Sequence, residues 1–132
     1  ENAAPAIHRL ENDLKIIAEQ ALGMEVCSFK YDSFLNIYNS GAGIKRHAHL
    51  GYNDKEFGLA NFKYSLVYYL DVGDQDSKNP GLLQFYDPDV SLLPREGLIL
   101  IFPSSRFHSS FYDGKKKRLM IGVNFYAFPD LG

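Results

Sequence analysis

Between Pro5 and Leu22, apolar residues return at steps of three and four: Ile7, Leu10, Leu14, Ile17 and Ala21. That period lines one face of an α-helix. Pro5 suits the first turn, where its missing N–H costs nothing, and Gly23 suits the C-terminal stop. Glu11 and Lys15 stand at i and i+4 on the wet side, and His8 reads as a surface residue. The spacing predicts a helix over 5–22. From Glu25 the period shortens to two. Val26 to Tyr31 and Phe34 to Tyr38 read as strands. In the second, Phe34, Asn36 and Tyr38 share one face, and Leu35 and Ile37 the other. Asn39 to Gly43 make a turn, and Leu50 to Asn61 read as a loop. Phe62 to Leu70 is a strong strand, and Val72 to Pro80 a loop. Gly81 to Tyr86 is a short strand, turned by Asp87-Pro88-Asp89. Residues 92–96 lead into the apolar strand 97–102, Pro103-Ser104-Ser105 breaks it, and Phe107-His108-Ser109 resumes. Asp113-Gly114 is a hairpin turn signal. The last strand, Arg118 to Phe128, alternates Arg118, Met120, Gly122, Asn124 and Tyr126 against Leu119, Ile121, Val123 and Phe125.

One helix followed by about seven to eight short strands points to a sandwich or jelly roll. The expected arrangement is a single domain over residues 1–132, mostly β. Its helix lies on the outward face of strands such as 62–70 and 118–128, and its β-barrel core runs over 25–128. At 132 residues the chain can bury a core without staples. Its aromatics, Phe 10 and Tyr 9 with no Trp, suit a pleated surface. A net charge of −2 gives no electrostatic footprint for nucleic acid. The apolar runs fall short of the ~20 residues that span a membrane. The single cysteine, Cys27, excludes an internal disulfide and reads as a small buried apolar group. It leans the expected localisation to the cytoplasm. There is no signal-peptide pattern. Beginning at Glu1 and not at Met, the chain reads as a piece of a longer protein.

The candidate chemistry sits in Lys45-Arg46-His47-Ala48-His49. In an extended backbone, residues i and i+2 point to one face, so His47 and His49 can present two imidazoles to one point. A third histidine, His108, follows the apolar run 98–103, and Arg118 comes ten residues later. Two close ligands, one distant ligand and a strand-borne Arg are what a small β-barrel oxygenase with a non-haem iron needs. The competing reading is histidines scattered over surface and core, with Arg118 in a structural ion pair. Lys115-Lys116-Lys117 reads as a solvated hairpin end. No Ser-His-Asp order, phosphate-binding loop or dinucleotide fingerprint is present.

The run from Leu35 to Gly41, followed by His47-Ala48-His49, resembles the first half of the site in Fe(II)/2-oxoglutarate dioxygenases of the prolyl-hydroxylase type. Leu66 to Asp71 and Pro80 to Phe85 resemble the middle strands of that family. Gly97 to Phe102, then His108 and Arg118, resemble its closing half. The order holds over roughly residues 34–128. The resemblance implies a double-stranded β-helix (jelly roll) that binds Fe(II) and uses 2-oxoglutarate and O₂ as co-substrates. It implies His47 and His108 as metal ligands and Arg118 as the partner of the distal carboxylate of 2-oxoglutarate. Tyr38 and Tyr69 would line the co-substrate pocket, and Asn124 would share the inward face with Arg118. No catalytic residue beyond the metal ligands is implied. The chain departs from the family where His-x-Asp is usual, because the second position is His49. His49 is the second ligand, or Asp54 or Glu56 completes the site, or catalysis is lost; the i, i+2 spacing favours His49. The Ser that many members carry two residues after the Arg is Met120 here. The implied function is hydroxylation of a small molecule or protein side chain selected by loops 50–61 and 73–80. The alternatives are a three-histidine dioxygenase that does not use 2-oxoglutarate, and a non-catalytic β-barrel binding module.

Overall fold

A computed structural model describes residues 4–27, 33–38, 42–48 and 50–129. Helix α1 spans Ala4–Leu22. The strands are β1 (Glu25–Cys27), β2 (Ser33–Tyr38), β3 (Ala42–His47), β4 (Lys63–Asp71), β5 (Pro80–Phe85), β6 (Val90–Leu92), β7 (Ile99–Pro103), β8 (His108–Tyr112) and β9 (Arg118–Phe128). A short helix, α2 (Tyr52–Glu56), and a 3₁₀ turn, Ala60–Phe62, lie between β3 and β4. Among the described residues no helix is long and apolar enough to cross a membrane.

The strands form two antiparallel sheets. The larger has the order β1-β9-β4-β7, with β2 also on β9; the smaller has the order β3-β8-β5-β6. β1 and β2 lie end to end along one edge of β9, Glu25–Cys27 against 126–128 and Ser33–Tyr38 against 118–123. β4 takes the other edge. From β2 onward the chain alternates sheets, with only β5 and β6 as a hairpin within one. Alternation of this kind winds a double-stranded β-helix, and that is the fold of this chain.

β9 is buried on both faces because each face meets a different partner. Val123, Phe125 and Ala127 turn outward and pack with Leu14 and Ala18 of α1, Val26 and Leu66. Burying each large apolar side chain there contributes about 1.5–3 kcal/mol. Met120 turns inward, where it packs with Tyr69 of β4 and Tyr112 of β8 between the sheets. The residue-by-residue phase of β9 thus agrees with the alternation read from the sequence.

Several local expectations are corrected. The buried line of α1 runs at steps of four through Leu10, Leu14, Ala18 and Leu22. Ile17 is 38% exposed and Ala21 is exposed, so neither belongs to the core. Ala18 has the small side chain that lets the helix backbone come close to the sheet. Lys15 lies 3.9 Å from Glu19 at its own i+4 position. The loop expected over 50–61 contains α2, because Asp54 reaches back to the Gly51 N–H at 2.6 Å. That contact is the returning half of a capping box, built here from Gly and Asp in place of the commoner Ser and Glu. β6 spans Val90–Leu92, between the turn read over 87–89 and the lead-in read over 92–96, sharing only Leu92 with the latter. Cys27 is half-buried, not buried. Strand β3 already includes Ala42 and Gly43, which the sequence places in the turn. Residues 28–32, 39–41 and 49 lie outside the described residues, so the expected pairing of His47 with His49 on one face does too.

Candidate metal and co-substrate site

The smaller sheet brings two of the three histidines together. β3 and β8 are antiparallel neighbours, and after a register shift between Ile44 and His47 the partner of His47 is His108. Opposed residues on such strands stand about 4.5–5.5 Å apart at Cα. β5 flanks the other edge of β8 and sets Phe85 opposite His108. The His108 side chain enters the space between the sheets, 4% exposed. Its ring centre lies 5.0 Å from that of Phe102 on the opposite sheet and 6.1 Å from that of Phe85. Two aromatic rings therefore wall it from water.

The protonation pattern of His108 follows from its neighbour. Nδ1 lies 3.1 Å from the Arg106 carbonyl oxygen. A carbonyl only accepts, so Nδ1 carries the proton, and in the neutral ring Nε2 carries the lone pair. Histidines that ligate metals are held in this way, by a second contact at the other nitrogen. The carbonyl is itself fixed. The Arg106 side chain donates to Tyr86 O at 3.0 Å and Pro88 O at 2.7 Å, and lies 5.4 Å above the Phe85 ring. The donor chemistry of His108 thus fits a borderline metal such as Fe(II).

Arg118 opens β9 and is 1% exposed. Its Nε donates to Val72 O at 3.1 Å, Nη1 to Gly81 O at 2.9 Å and Nη2 to Pro80 O at 2.7 Å. The faces of Tyr112 and Tyr69 lie 4.6 Å and 5.9 Å from its guanidinium carbon. This cation is held by dipoles and ring faces, which fix its direction. Gly81 has a φ of +82°, and a Cβ there would collide with the guanidinium. A side chain at position 81 would therefore displace the guanidinium and strain the backbone. Tyr38 of β2 is the register partner of Arg118, and Asn36 and Tyr69 both pair with Met120. Tyr69 is the inward member of the pair Tyr68-Tyr69, as one strand face requires. His108 and Tyr112 lie on the same side of β8 four residues apart, about 13 Å along the strand. Tyr112 thus links the His108 and Arg118 ends of one interior wall.

Asn124 is buried elsewhere on that inward face. Its Oδ1 accepts from Ser65 Oγ at 2.7 Å, and Ser65 Oγ lies 2.8 Å from Ser104 Oγ. Ser65 is the register partner of both Asn124 and Phe102, which places this polar trio beside the aromatic wall of His108.

The alternative carboxylates are differently placed. Glu56 is exposed. Asp54 is 2% exposed. Its carboxylate accepts from the Gly51 N–H, from Lys63 Nζ at 2.9 Å and from the Tyr126 hydroxyl. Burial alone would raise the Asp54 carboxyl, but Tyr126, Gly51 and Lys63 together hold it below the usual carboxylate range. Its folded pKa being depressed, the stabilisation is present above the unfolded value, near pH ~3.9, and is lost as pH falls through the folded value. Asp54→Asn is expected to cost about 3–5 kcal/mol at neutral pH, because Lys63 is left buried with its charge unmatched. That difference should narrow below about pH 4. Denaturant unfolding of both proteins across pH checks this; a constant difference would contradict it.

Among the described residues, no three His, Cys, Asp or Glu side chains gather into a metal-holding group. Of the predicted ligands, His108 is described with its side chain, His47 by its register on β3, and His49 lies outside the described residues. The Asp54–Lys63–Tyr126 cluster and the Ser65–Ser104–Asn124 trio were not foreseen from sequence. One signal was available: Lys63 and Ser65 occupy the phase of β4 that Val67 and Tyr69 make inward, and polar residues at an inward phase need partners.

The fold class defined by this topology is shared with solved metalloenzymes. The chain is similar to a prolyl-4-hydroxylase from Pseudomonas putida, with a TM-score of 0.63 and 22% identity over 88% of this chain and 62% of that one. It is also similar to an oxidoreductase of the 2OG-Fe(II) oxygenase family from Burkholderia pseudomallei, with a TM-score of 0.53 and 13% identity over 75% of this chain and 46% of that one. A non-heme monooxygenase solved as a nickel complex gives a TM-score of 0.51 and 12% identity over 72% of this chain and 42% of that one. At these identities the likeness establishes the fold, and this chain spans less than two thirds of each of the three. No family model and no curated protein sequence matches the chain.

Proposed function

We propose that this chain is the core of a non-haem Fe(II) oxygenase that uses 2-oxoglutarate and O₂ to hydroxylate an organic substrate. The observation that carries the reading is the register pairing of His47 with His108, with a buried Arg118 opening the next strand. His47, His49 and His108 would hold the metal. Bound there, Fe(II) would supply open coordination positions and the redox capacity for inserting one oxygen atom into a C–H bond. The chain's own residues do the rest. The Arg106 carbonyl keeps the proton on His108 Nδ1 and so keeps Nε2 ready to ligate. Phe85 and Phe102 exclude water beside it. Arg118, pre-aimed by its carbonyl contacts, would take the distal carboxylate of 2-oxoglutarate, with Tyr38 and Tyr69 beside it and Asn124 further along the same face.

A second reading is favoured by one observation: three Arg118 N–H groups already serve main-chain carbonyls of 72, 80 and 81. If that is the whole role of Arg118, the metal site works as a three-histidine dioxygenase without 2-oxoglutarate. Incubation with Fe(II), O₂ and 2-oxoglutarate separates the readings. The leading one expects succinate and CO₂ in equal amounts, lost when iron is withheld. O₂ consumption that is indifferent to 2-oxoglutarate would favour the second reading.

A further inference from the structure

We infer that Asp54, with Lys63 and Tyr126, is a positioning cluster for the metal site: it fixes the chain just beyond the histidine pair without ligating the metal. The inference rests on the reading above. The chain on either side of position 49 is anchored by two different devices. His47 is held by its pairing with His108. Gly51 is held through its N–H, which donates to Asp54 Oδ2 at 2.6 Å. The same oxygen accepts from Lys63 Nζ at 2.9 Å, and the other oxygen takes the Tyr126 hydroxyl. Lys63 opens β4 and Tyr126 lies near the end of β9, where the two are register partners on the larger sheet. A single buried carboxylate therefore ties the segment after β3, which continues from the smaller sheet, to the middle of the larger one.

The chemistry of the cluster fits this task better than ligation. Both Asp54 oxygens are engaged: turning Oδ2 to a metal would break the Lys63 pair or release Gly51, and turning Oδ1 would release the Tyr126 hydroxyl. A buried Lys–Asp pair is a costly way to gain stability, and such pairs are well suited to fixing a register. Lys63 also lies 5.7 Å from the Tyr126 ring centre, so the three groups form one packed unit. Fixing a ligand-bearing segment to within a fraction of an ångström is what a metal site requires of its surroundings.

The test uses Co(II), whose visible spectrum reports coordination geometry, titrated anaerobically into the parent and four variants, with thermal unfolding followed in parallel. Asp54→Ala is expected to weaken Co(II) binding at least tenfold and to change the spectrum. Asp54→Asn, which keeps an acceptor for the Gly51 N–H, should recover most of the affinity while remaining less stable than the parent. Tyr126→Phe removes only the hydroxyl that donates to the other Asp54 oxygen, adds no atoms, leaves the Gly51 and Lys63 contacts in place, and should weaken binding severalfold with the fold retained; it decides the matter if Asp54→Ala does not fold. Parent-like affinity and spectrum in Tyr126→Phe, or in folded Asp54→Ala, would overturn the positioning role. So would an Asp54→Asn that binds Co(II) no better than Asp54→Ala, since Asp54 would then act as a ligand. His108→Ala keeps the two levels apart. If the parent binds no Co(II), or His108→Ala binds it equally well, the reading of the metal site falls and the positioning role falls with it.

Discussion

His108→Ala is expected to abolish stoichiometric Fe(II) binding under anaerobic conditions. The loss should exceed the ~10–100-fold that changes around a metal's ligands typically cost, because a ligand itself is removed. The ring nitrogens have separate roles. Arg106 O fixes the proton on Nδ1, and the aromatic rings of Phe85 and Phe102 hold the imidazole in place. The neighbouring strand contributes His47 at the opposed register position. His47→Ala should therefore lose the metal as well. Affinity for the parent should weaken on acidification through pH ~6.5, where protons compete for the ligating nitrogens. Equilibrium dialysis with iron analysis gives the answer, and an His108→Ala protein that holds iron as tightly as the parent removes the assignment.

Arg118→Leu is expected to produce two losses that can be told apart. The first is structural. Three main-chain carbonyls lose their donor; the buried one, on Gly81, costs about 1–3 kcal/mol when left unsatisfied, and the part-buried ones on Val72 and Pro80 cost less. The second is functional: 2-oxoglutarate binding should weaken by roughly 2–5 kcal/mol if the carboxylate–guanidinium pair is desolvated. Arg118→Lys should recover little of either, because a point charge cannot reproduce the planar fork. Gly81→Ala tests the direction of the guanidinium apart from its charge. The added methyl group collides with the guanidinium and sits at an unfavourable φ, so it redirects Arg118 without deleting its charge. It should weaken 2-oxoglutarate binding while leaving His108-dependent metal uptake intact. Calorimetry on folded Gly81→Ala with parent-like 2-oxoglutarate affinity would assign Arg118 to structure alone.

Ligation by His49 would have an electrostatic consequence. With a carboxylate ligand an Fe(II) site would carry a formal charge of about +1; with an imidazole it would carry about +2. The more positive site should hold a dianion better and should resist oxidation of the metal. Asp54, one carboxylate that could have replaced it, is committed to Lys63, Gly51 and Tyr126.

What the sequence revealed and what it hid divide along physical lines. The period-two alternation of 118–128 was legible because one face meets α1 and the other the barrel interior, so a slip of one residue would invert both. Long, strongly patterned segments such as 62–70 and the N-terminal helix were legible for the same reason. The facing of α1 was misjudged at Ile17 and Ala21, because apolar residues on a helix can be exposed, and Ala18 marks the contact only once the sheet is present. α2 was hidden because its cap uses Gly51 and Asp54, a weak signal. In the candidate site, the nearness of His47 to His108 was legible only through order and family resemblance. No local pattern encodes that residues 61 positions apart become register partners. The carbonyl cradle of Arg118 comes from Val72, Pro80 and Gly81 through main-chain oxygens, which leave no trace in residue type except at Gly81.

If the histidines and Arg118 form one site for metal and 2-oxoglutarate together, the two must bind cooperatively. The most direct measurement is an anaerobic calorimetric titration of 2-oxoglutarate into the metal-free protein and into the protein loaded with Fe(II). One equivalent of 2-oxoglutarate should bind the loaded protein at least about tenfold more tightly, a coupling of roughly 1.4 kcal/mol or more. Equal affinity in the two titrations, or no binding in either, would rule out a shared site.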